Sequence, residues 1–424
     1  MLVIVLLVSF FLLLFIGVPI SFALSISSFT AVMTTGAIPV INLVQKTFRA
    51  IDSFTLLAIP FFVFAGNVMA RGGVSKRLTD MAATLVGRMP GGLAHVATLS
   101  STFFGAISGS APATTSAIGA VMVPEMEKRS YDKAFTAAVV AASGTIGLII
   151  PPSNTMVMYG TLANASVGKM FIGGVGPGLL MTAVIIIINY VISKKRGYVG
   201  TERVTAKEVA TAFKNGIWAL LMPIIILGGI FGGIFTPTEA AAVSVAYALF
   251  VSGLIYKDLT WKDIPQVFVE TSISTATIMM LVGLSKASSY VVVTSGLPQQ
   301  MLEFFTSITS SKAVILLLLN LLFLIIGMLM EASAAIIMMT PLLTPLLPVF
   351  NIDPLTFGVM MSFNLCIGLV TPPVGLCLLV CNQIGETSLS KTIRTMIPTL
   401  IISLVALMLV TFIPQLTQWL PSIL

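Results

Sequence analysis

Long apolar runs alternate with short polar segments along the whole chain. The apolar runs lie near residues 2–16, 18–36, 53–70, 91–124, 134–164, 168–193, 216–234, 237–256, 266–295, 312–349, 354–386 and 393–419. A membrane-spanning helix needs about 20 predominantly apolar residues, and most of these runs approach or exceed that length. The pattern predicts an all-α polytopic membrane protein.

Two of the runs are too long for one crossing. Runs 91–124 and 312–349 could each make about two passes, and each has a small or polar break in its middle, at 108–112 and at 331–333. We therefore predict that each run forms a helical hairpin that enters the membrane and turns back.

Two further runs, 134–164 and 354–386, are cut by Pro-Pro pairs. Because proline lacks an N–H and clashes with the preceding turn, two in succession break a helix. The freed carbonyls must line protein or a water-filled cavity, where they suit a hard cation. The start of the next half-helix suits a carboxylate, and Ser153-Asn154-Thr155 stands at that position.

Composition supports the membrane interpretation. The 424 residues are 57% hydrophobic and 9% charged, whereas soluble domains average about 25% charged. Residues 1–16 have no basic region before them, so we expect a first span there and no cleaved signal peptide. We expect Cys366, Cys377 and Cys381 to be buried thiols, because their number and spacing fit neither disulfides nor a zinc site.

The net charge of +7 comes from short basic clusters between apolar runs, which are typical of cytoplasmic loops. Segments 71–88, 125–133 and 194–215 are basic, so the hairpin between the first two opens to the cytoplasm. The flanks of 312–349 carry little charge, so that hairpin opens to the outer face. We predict ten crossings and two hairpins with both termini outside; the division of residues 1–36 into spans stays open.

Three segments outside the runs are predicted to be surface helices. Segments 74–88 and 203–214 are basic and are expected to be amphipathic helices on the cytoplasmic face. Segment 41–52 is a candidate for their counterpart on the outer face.

Several features recur at a nearly constant distance. The passage 147–153 (GLIIPPS) resembles 368–374 (GLVTPPV), which lies 221 residues further on, and Gly105 and Gly327 are 222 residues apart. This spacing predicts an internal duplication. Because the hairpins open to opposite faces, we predict two inverted-topology repeats, 1–200 and 201–424, each with scaffold helices, a hairpin and a broken helix.

Four motifs together resemble a known family. They are FGAISGSAPA (104–113), GLIIPPS (147–153), GIFTPTEAAA (233–242) and GLVTPPVG (368–375). They resemble the large membrane subunit, of DctM/SiaM type, of tripartite ATP-independent periplasmic (TRAP) transporters, and the resemblance runs nearly end to end. It implies sodium-driven uptake of an organic acid by an elevator movement in the bacterial inner membrane.

The resemblance also implies partners. These are a periplasmic substrate-binding protein and a small four-helix membrane subunit, expected to be a separate chain because nothing here extends beyond the large subunit. Sialic acid is the favoured substrate, followed by a C4-dicarboxylate. Neither an organic cofactor nor nucleic acid is expected.

The family places sodium where each hairpin tip meets the broken helix of the same repeat. The resemblance implies that the cation is bound mainly by backbone carbonyls, together with the Ser108 and Thr371 hydroxyls. The residues that supply these ligands are Gly105, Ser108, Gly147, Ile150, Pro151, Gly327, Gly368, Thr371 and Val374. The substrate would lie between the tips, near Ser110, Ser153, Asn154, Glu331 and Ser333.

Four single residues have more than one interpretation. Glu331, at the second tip, binds substrate or supports a cation, or else caps a helix. Glu239 is expected to have a structural role at a helix start. Lys286 faces either the cavity or a scaffold helix. His95 is expected to be interfacial and not a proton relay.

Two other functions were weighed. A binding-protein-independent sodium/dicarboxylate symporter of the same superfamily would show similar hairpins. An intramembrane metalloprotease needs two histidines and an acid, and the sequence has one histidine. The sequence also lacks the G-x-x-x-x-G-K-[ST] phosphate loop. We therefore predict a transporter driven by an ion gradient, and no enzyme.

Overall fold

The structure, a computed structural model, describes residues 1–36, 38–201 and 205–423. Its first half contains ten α-helices: α1 (Leu2–Phe15), α2 (Ile20–Thr35), α3 (Val40–Ile51), α4 (Ala58–Arg71), α5 (Val74–Val86), α6 (Gly92–Ser108), α7 (Ala111–Lys128), α8 (Lys133–Gly144), α9 (Asn154–Ala163) and α10 (Val167–Arg196). Short 3₁₀ turns precede α4 at Thr55–Leu57 and follow α8 at Thr145–Leu148.

The second half is also helical. Its helices are α11 (Ala206–Phe231), α12 (Pro237–Phe250), α13 (Ile264–Thr294), α14 (Leu297–Ile308), α15 (Lys312–Leu329), α16 (Ala332–Leu343), α17 (Leu346–Val349), α18 (Pro354–Gly368), α19 (Leu376–Ile384), α20 (Leu389–Phe412) and α21 (Gln415–Gln418). A π-helical turn, Val251–Ile255, extends α12. The described residues contain no β-strand, so the predicted all-α membrane fold is confirmed.

Six helices in the described ranges are long and apolar enough to cross a membrane: α10, α11, α12 with its π turn, α13, α15 and α20. A seventh candidate is the pair α3–α4, which bends by 56°. The other apolar helices are shorter than a span; a Pro-Pro pair ends α8 with its 3₁₀ turn and α18, the second hairpin tip precedes α16, and a break at residues 16–19 separates α1 from α2. The predicted count of ten crossings stays a prediction.

Helices α6 and α7 form the first hairpin, hereafter hairpin 1. The two ends of the hairpin meet at one residue: the Gly91 N–H donates to the Tyr198 carbonyl at 3.0 Å, and the Asp132 N–H donates to the Tyr198 hydroxyl at 3.0 Å. The Tyr131 and Tyr198 rings stack at 4.2 Å between centroids. The run 91–124 therefore turns back on itself, as predicted.

Helices α15 and α16 form hairpin 2, whose ends also meet. The Lys312 ammonium, at its start, donates to the carbonyl of Asn351, just beyond its end, at 2.7 Å. The two hairpin mouths lie at opposite ends of α10. Gly173, near the start of α10, faces Leu355 beside the mouth of hairpin 2, whereas Tyr198 follows the end of α10 at the mouth of hairpin 1.

Corresponding helices recur at a constant distance. Helices α5, α8, α9 and α10 begin 221 to 223 residues before α14, α18, α19 and α20. Two corresponding residues also touch: the Cys366 thiol donates to the Thr145 carbonyl at 3.2 Å, where the two broken helices cross. The division into two repeats stays a prediction, which this correspondence supports.

The surface segments differ in part from expectation. Segments 74–88 and 41–52 contain the helices α5 and α3, as predicted. Residues 202–204, with Arg203, lie outside the described part of the chain. Residues 206–214 are helical, as predicted, and they continue without a break into the span α11. The helix that corresponds in position to α5 is α14.

Candidate functional site

The tip of hairpin 1 packs on both sides of the first Pro-Pro pair. A Cβ at Gly105 would lie 2.7 Å from the Gly147 Cα, closer than real Cβ atoms approach, and a Cβ at Gly147 would clash with the Thr114 hydroxyl of the same hairpin, so the close contact requires glycine at both positions. Beyond the prolines, the Asn154 N–H donates to the Gly109 carbonyl at 3.2 Å. The tip thus contacts both halves of the broken helix.

The tip of hairpin 2 makes the matching contact. A Cβ at Gly368 would lie 2.7 Å from the Gly327 Cα, and one at Gly327 would lie 3.2 Å from the Gly368 Cα. Beyond the second Pro-Pro pair, the Val374 N–H donates to the Met328 carbonyl at 3.4 Å. Both Pro-Pro peptide bonds are cis. The structure thus contains two tip–helix junctions of the same design.

The predicted cation residues fall into these two junctions. Gly105, Ser108, Gly147, Ile150 and Pro151 lie at the first, and Gly327, Gly368, Thr371 and Val374 at the second. Their oxygens are carbonyls and hydroxyls, which hard cations accept as ligands. Whether they coordinate sodium stays a prediction.

The two predicted hydroxyl ligands are already hydrogen-bonded within the protein. The Ser108 hydroxyl lies 2.8 Å from the Thr114 hydroxyl, and the Thr371 hydroxyl donates to the Ile367 carbonyl at 2.7 Å. A hydroxyl that donates its proton keeps its lone pairs free to face a cation. This holds for Thr371; in the Ser108–Thr114 pair either hydroxyl can be the donor, and the Ser108 oxygen also lies 3.4 Å from the Ser110 N–H.

The two junctions differ in exposure. Residues 146–160 of the first broken helix are buried throughout, whereas at the second junction Pro373 and Val374 are exposed, Val374 to 41%. Glu331 at the second tip is exposed as well. In this structure the first junction is closed by protein and the second is open.

The predicted substrate residues cap helices. Ser153 is buried at the start of α9, where its hydroxyl accepts the Met156 N–H at 3.4 Å and lies 2.5 Å from the Leu148 carbonyl. Ser110 caps α7 in the same way, by accepting the Ala113 N–H at 3.5 Å. Both hydroxyls have structural partners, and their contact with a substrate stays a prediction.

Asn154 differs from these serines. Its side chain is 6% exposed, and its Oδ1 atom has no hydrogen-bond partner among the described residues. Buried amide oxygens are normally satisfied, so this atom is free to accept a hydrogen bond from water or from a ligand at the start of the half-helix. Helix α9, which begins at Asn154, packs against α16 of hairpin 2. The elements that carry Asn154 and Ser333 therefore meet.

Glu331 caps the start of α16, as one interpretation of the sequence predicted. Its carboxylate accepts the Ser333 N–H at 2.9 Å, the Ser333 hydroxyl at 2.8 Å and the Ala334 N–H at 3.3 Å. Because the side chain is also exposed, the cap does not exclude contact with substrate or cation.

Glu239 forms a capping box with Thr236, which confirms its structural role.

Two buried triads of polar side chains connect the hairpins and the broken helices to neighbouring membrane-spanning helices. In the first, Thr98 lies 2.9 Å from the Ser143 hydroxyl and accepts the Asn189 amide at 3.1 Å. In the second, the Asn320 amide donates to the Thr411 hydroxyl at 3.0 Å, and its Oδ1 accepts the Asn364 amide at 2.8 Å. Members correspond in order, 221 or 222 residues apart, and each triad joins a hairpin, a broken helix and a span. Sequence reasoning missed them, although the constant spacing could have found them.

His95 and the three cysteines are buried. His95 is fully buried at the mouth of hairpin 1, where its Nε2 atom lies 3.0 Å from the Pro90 carbonyl and its ring stacks on Tyr190. The expectation that it lies at the membrane interface stays a prediction. All three cysteines are buried free thiols, as predicted. Among the described residues no cluster of three or more His, Cys, Asp or Glu side chains could hold a metal ion.

Comparison with known proteins identifies the fold and relatives. The family model described as "Tripartite ATP-independent periplasmic transporter, DctM component" matches residues 7–416. The chain is 40% identical over 411 residues to the isethionate TRAP transporter permease protein DctMQ of Oleidesulfovibrio alaskensis, covering 97% of this chain and 65% of that relative, so it spans less than two thirds of that protein.

Two further relatives match over most of both chains. The C4-dicarboxylate TRAP transporter large permease protein DctM of Pseudomonas aeruginosa is 39% identical, over 90% of this chain and 89% of its own. The sialic acid TRAP transporter large permease protein SiaM of Vibrio cholerae is 37% identical, over 97% and 96%.

Among solved structures, the crystal structure of the Alcanivorax borkumensis YdaH transporter is similar in fold. Its TM-score is 0.62 at 15% sequence identity, over 87% of this chain and 86% of that chain. At this identity the similarity concerns the fold alone.

Proposed function

This chain belongs to the DctM components of the tripartite ATP-independent periplasmic transporters, and we propose that it takes up an organic acid in symport with sodium. It is a transporter permease and not an enzyme, and it is a multi-pass protein of the bacterial inner membrane. Sodium coupling, the acid and its delivery by a periplasmic binding protein are the parts that are proposed.

The observation that carries the proposal is the pair of tip–helix junctions. At each junction a hairpin tip and a broken helix meet glycine to glycine, with a Cβ position 2.7 Å from the opposing backbone. We propose that, at each of these close contacts, backbone carbonyls and one hydroxyl face one small cation. In each repeat a pair of contacting glycines and a Pro-Pro pair stand at corresponding places, so we propose one sodium ion at each junction.

The energetics favour an ion-driven carrier. One positive charge moving inward gains about 2.3 kcal/mol per 100 mV of membrane potential. Two sodium ions that accompany one monoanion move a net charge of +1 and add two concentration gradients. This coupling would allow the acid to accumulate without ATP.

An acid is supported by the names of the relatives and by the half-helix α9. The relatives are named for isethionate, a C4-dicarboxylate and sialic acid, which are all small anions. At the start of α9 the Asn154 and Met156 N–H groups already have partners, so the support comes from the buried Asn154 Oδ1 atom, which could accept a hydrogen bond from a hydroxylated acid. Sialic acid remains our first candidate and a C4-dicarboxylate the second.

The family works with a small membrane subunit and a periplasmic binding protein. We propose that the small subunit of this transporter is a separate four-helix chain that packs on the scaffold helices. The transport motion we propose is an elevator movement, in which the hairpins and broken helices move together against that scaffold.

The test is uptake by the purified membrane subunits in proteoliposomes, with N-acetylneuraminate, succinate and isethionate as probes. We expect accumulation of one of these acids only when an inward sodium gradient and the binding protein encoded beside this chain are both present. Equal uptake in sodium-free buffer would refute sodium coupling. Full uptake without the binding protein would instead support the binding-protein-independent symporter.

A further inference from the structure

A small cavity lies at the bend between α3 and α4. The two helices meet at 56°, and a cavity of about 180 Å³ opens beside the break. Its walls come from four elements: Arg49 and Ser53 from the bent pair, Lys286 from α13, Met158 and Thr161 from α9, and Ile337 from α16. Of these elements, α9 begins at the first Pro-Pro break and α16 is an arm of hairpin 2.

The cavity has an unbalanced positive charge. Arg49 and Lys286 both line it, and neither forms an ion pair with any Asp or Glu in the described ranges. Lys286 is half-buried within the 31-residue apolar helix α13. A third cation, Lys46, lies nearby over the Tyr290 ring at 5.0 Å and does not line the cavity. The carboxylate nearest in the chain, Asp52, is exposed and lines a neighbouring cavity.

An unpaired cation within an apolar span is costly, and such residues commonly face a substrate or ion path. Arg49 is exposed and Lys286 only half-buried, so an anion that enters the cavity can reach both side chains. The cavity is large enough for several water molecules or for the acidic end of a small organic acid.

We propose that Arg49 and Lys286 bind the acidic group, a carboxylate or a sulfonate, of the transported substrate. This inference rests on the proposed uptake of an organic acid and adds a second contact area, on the α3–α4 bend and α13, opposite the tip residues. A lipid phosphate has the same chemistry. The substrate is favoured because two of the four walls belong to the elements that carry Asn154 and Ser333.

The test introduces a single cysteine into the wall of the cavity that α9 forms, and measures how fast that cysteine is alkylated. Thr161 lines the cavity and its hydroxyl bonds only to the Val157 carbonyl of its own helix, so Thr161→Cys disturbs little. The three native cysteines are buried and give little background. Alkylation of Thr161→Cys by a maleimide is measured in the complete membrane complex in nanodiscs, at constant sodium, with and without the acid that the wild type transports.

We expect the acid to slow alkylation about tenfold, since a charge-assisted contact holds it in the cavity. The protection should be lost when Lys286→Gln is added and restored by Lys286→Arg. The matched control is Lys46→Gln, which removes a nearby charge outside the cavity and should leave protection intact. Equal protection in the Lys286→Gln and Lys46→Gln backgrounds, or none in any, overturns the inference.

The two proposals fail in different ways. If the wild-type complex transports no acid with sodium, the proposed function fails. If the wild type transports an acid but Lys286→Gln behaves as Lys46→Gln does, only the acid-binding role of the cavity fails. Protection that depends on anionic lipid in the nanodisc, and not on the added acid, would assign the cavity to a lipid phosphate and contradict our assignment.

Discussion

The glycine contacts at the two junctions allow a sharp perturbation. Gly105→Ala places a methyl group 2.7 Å from the Gly147 Cα, and Gly368→Ala places one 2.7 Å from the Gly327 Cα. Both opposing atoms are backbone, so the tip must move away from the broken helix. Overpacking of this kind costs about 1–3 kcal/mol. If sodium binding requires the tight junction, affinity should fall about 5- to 150-fold.

The assay is the sodium dependence of acid uptake in proteoliposomes, together with the unfolding temperature of each variant. Gly228→Ala is the matched control: Gly228 also lies within a membrane helix, but a Cβ there meets nothing within 4 Å. It should transport as well as the wild type, since alanine favours a helix by up to about 1 kcal/mol relative to glycine. The reasoning is refuted if Gly105→Ala and Gly368→Ala keep the sodium dependence of Gly228→Ala.

Three further predictions concern side chains near the junctions. Ser108→Ala and Thr371→Ala should each raise the sodium concentration for half-maximal uptake, because each removes a proposed oxygen ligand; unchanged sodium dependence in both would contradict the ligand assignment. Asn320→Ala breaks the second polar triad and should destabilise the protein by about 1–2 kcal/mol, which lowers its unfolding temperature. The control, Thr277→Ala, changes an exposed residue and should leave the unfolding temperature unchanged. Equal unfolding temperatures for the two variants would contradict a stabilising role of the triad. Glu331→Gln keeps an acceptor for the Ser333 amide but removes the charge, so uptake should fall about tenfold with little change in unfolding temperature; wild-type uptake would leave only the capping role.

Much of the fold could be predicted because membrane proteins obey few and strong constraints. The length of apolar runs predicted the helices, and the basic clusters around 91–124 predicted a hairpin whose ends meet, as Tyr198 shows. The Pro-Pro pairs predicted where helices break. The basic segment 206–214 is helical, as predicted, but the sequence did not show that this helix continues into the next span, because the change from basic to apolar residues resembles a boundary.

The site was predicted less completely. The spacing of Gly105 and Gly327 and of the Pro-Pro pairs correctly indicated which segments meet, since only glycine permits such backbone approach. What lay beyond prediction were contacts between residues far apart in the chain. Lys286 could not be assigned from its own helix, because the cavity it lines depends on how four separate elements pack. The burial of His95 likewise depends on Tyr190, in another helix.

The most direct test of sodium-coupled acid uptake is the number of sodium ions carried per acid. It can be measured with radiolabelled sodium and labelled acid in the same proteoliposomes, with the binding protein outside and the membrane potential clamped. The two junctions predict at least two sodium ions per acid, and net positive charge entering with a monoanion. Acid accumulation with no sodium entry would contradict the account.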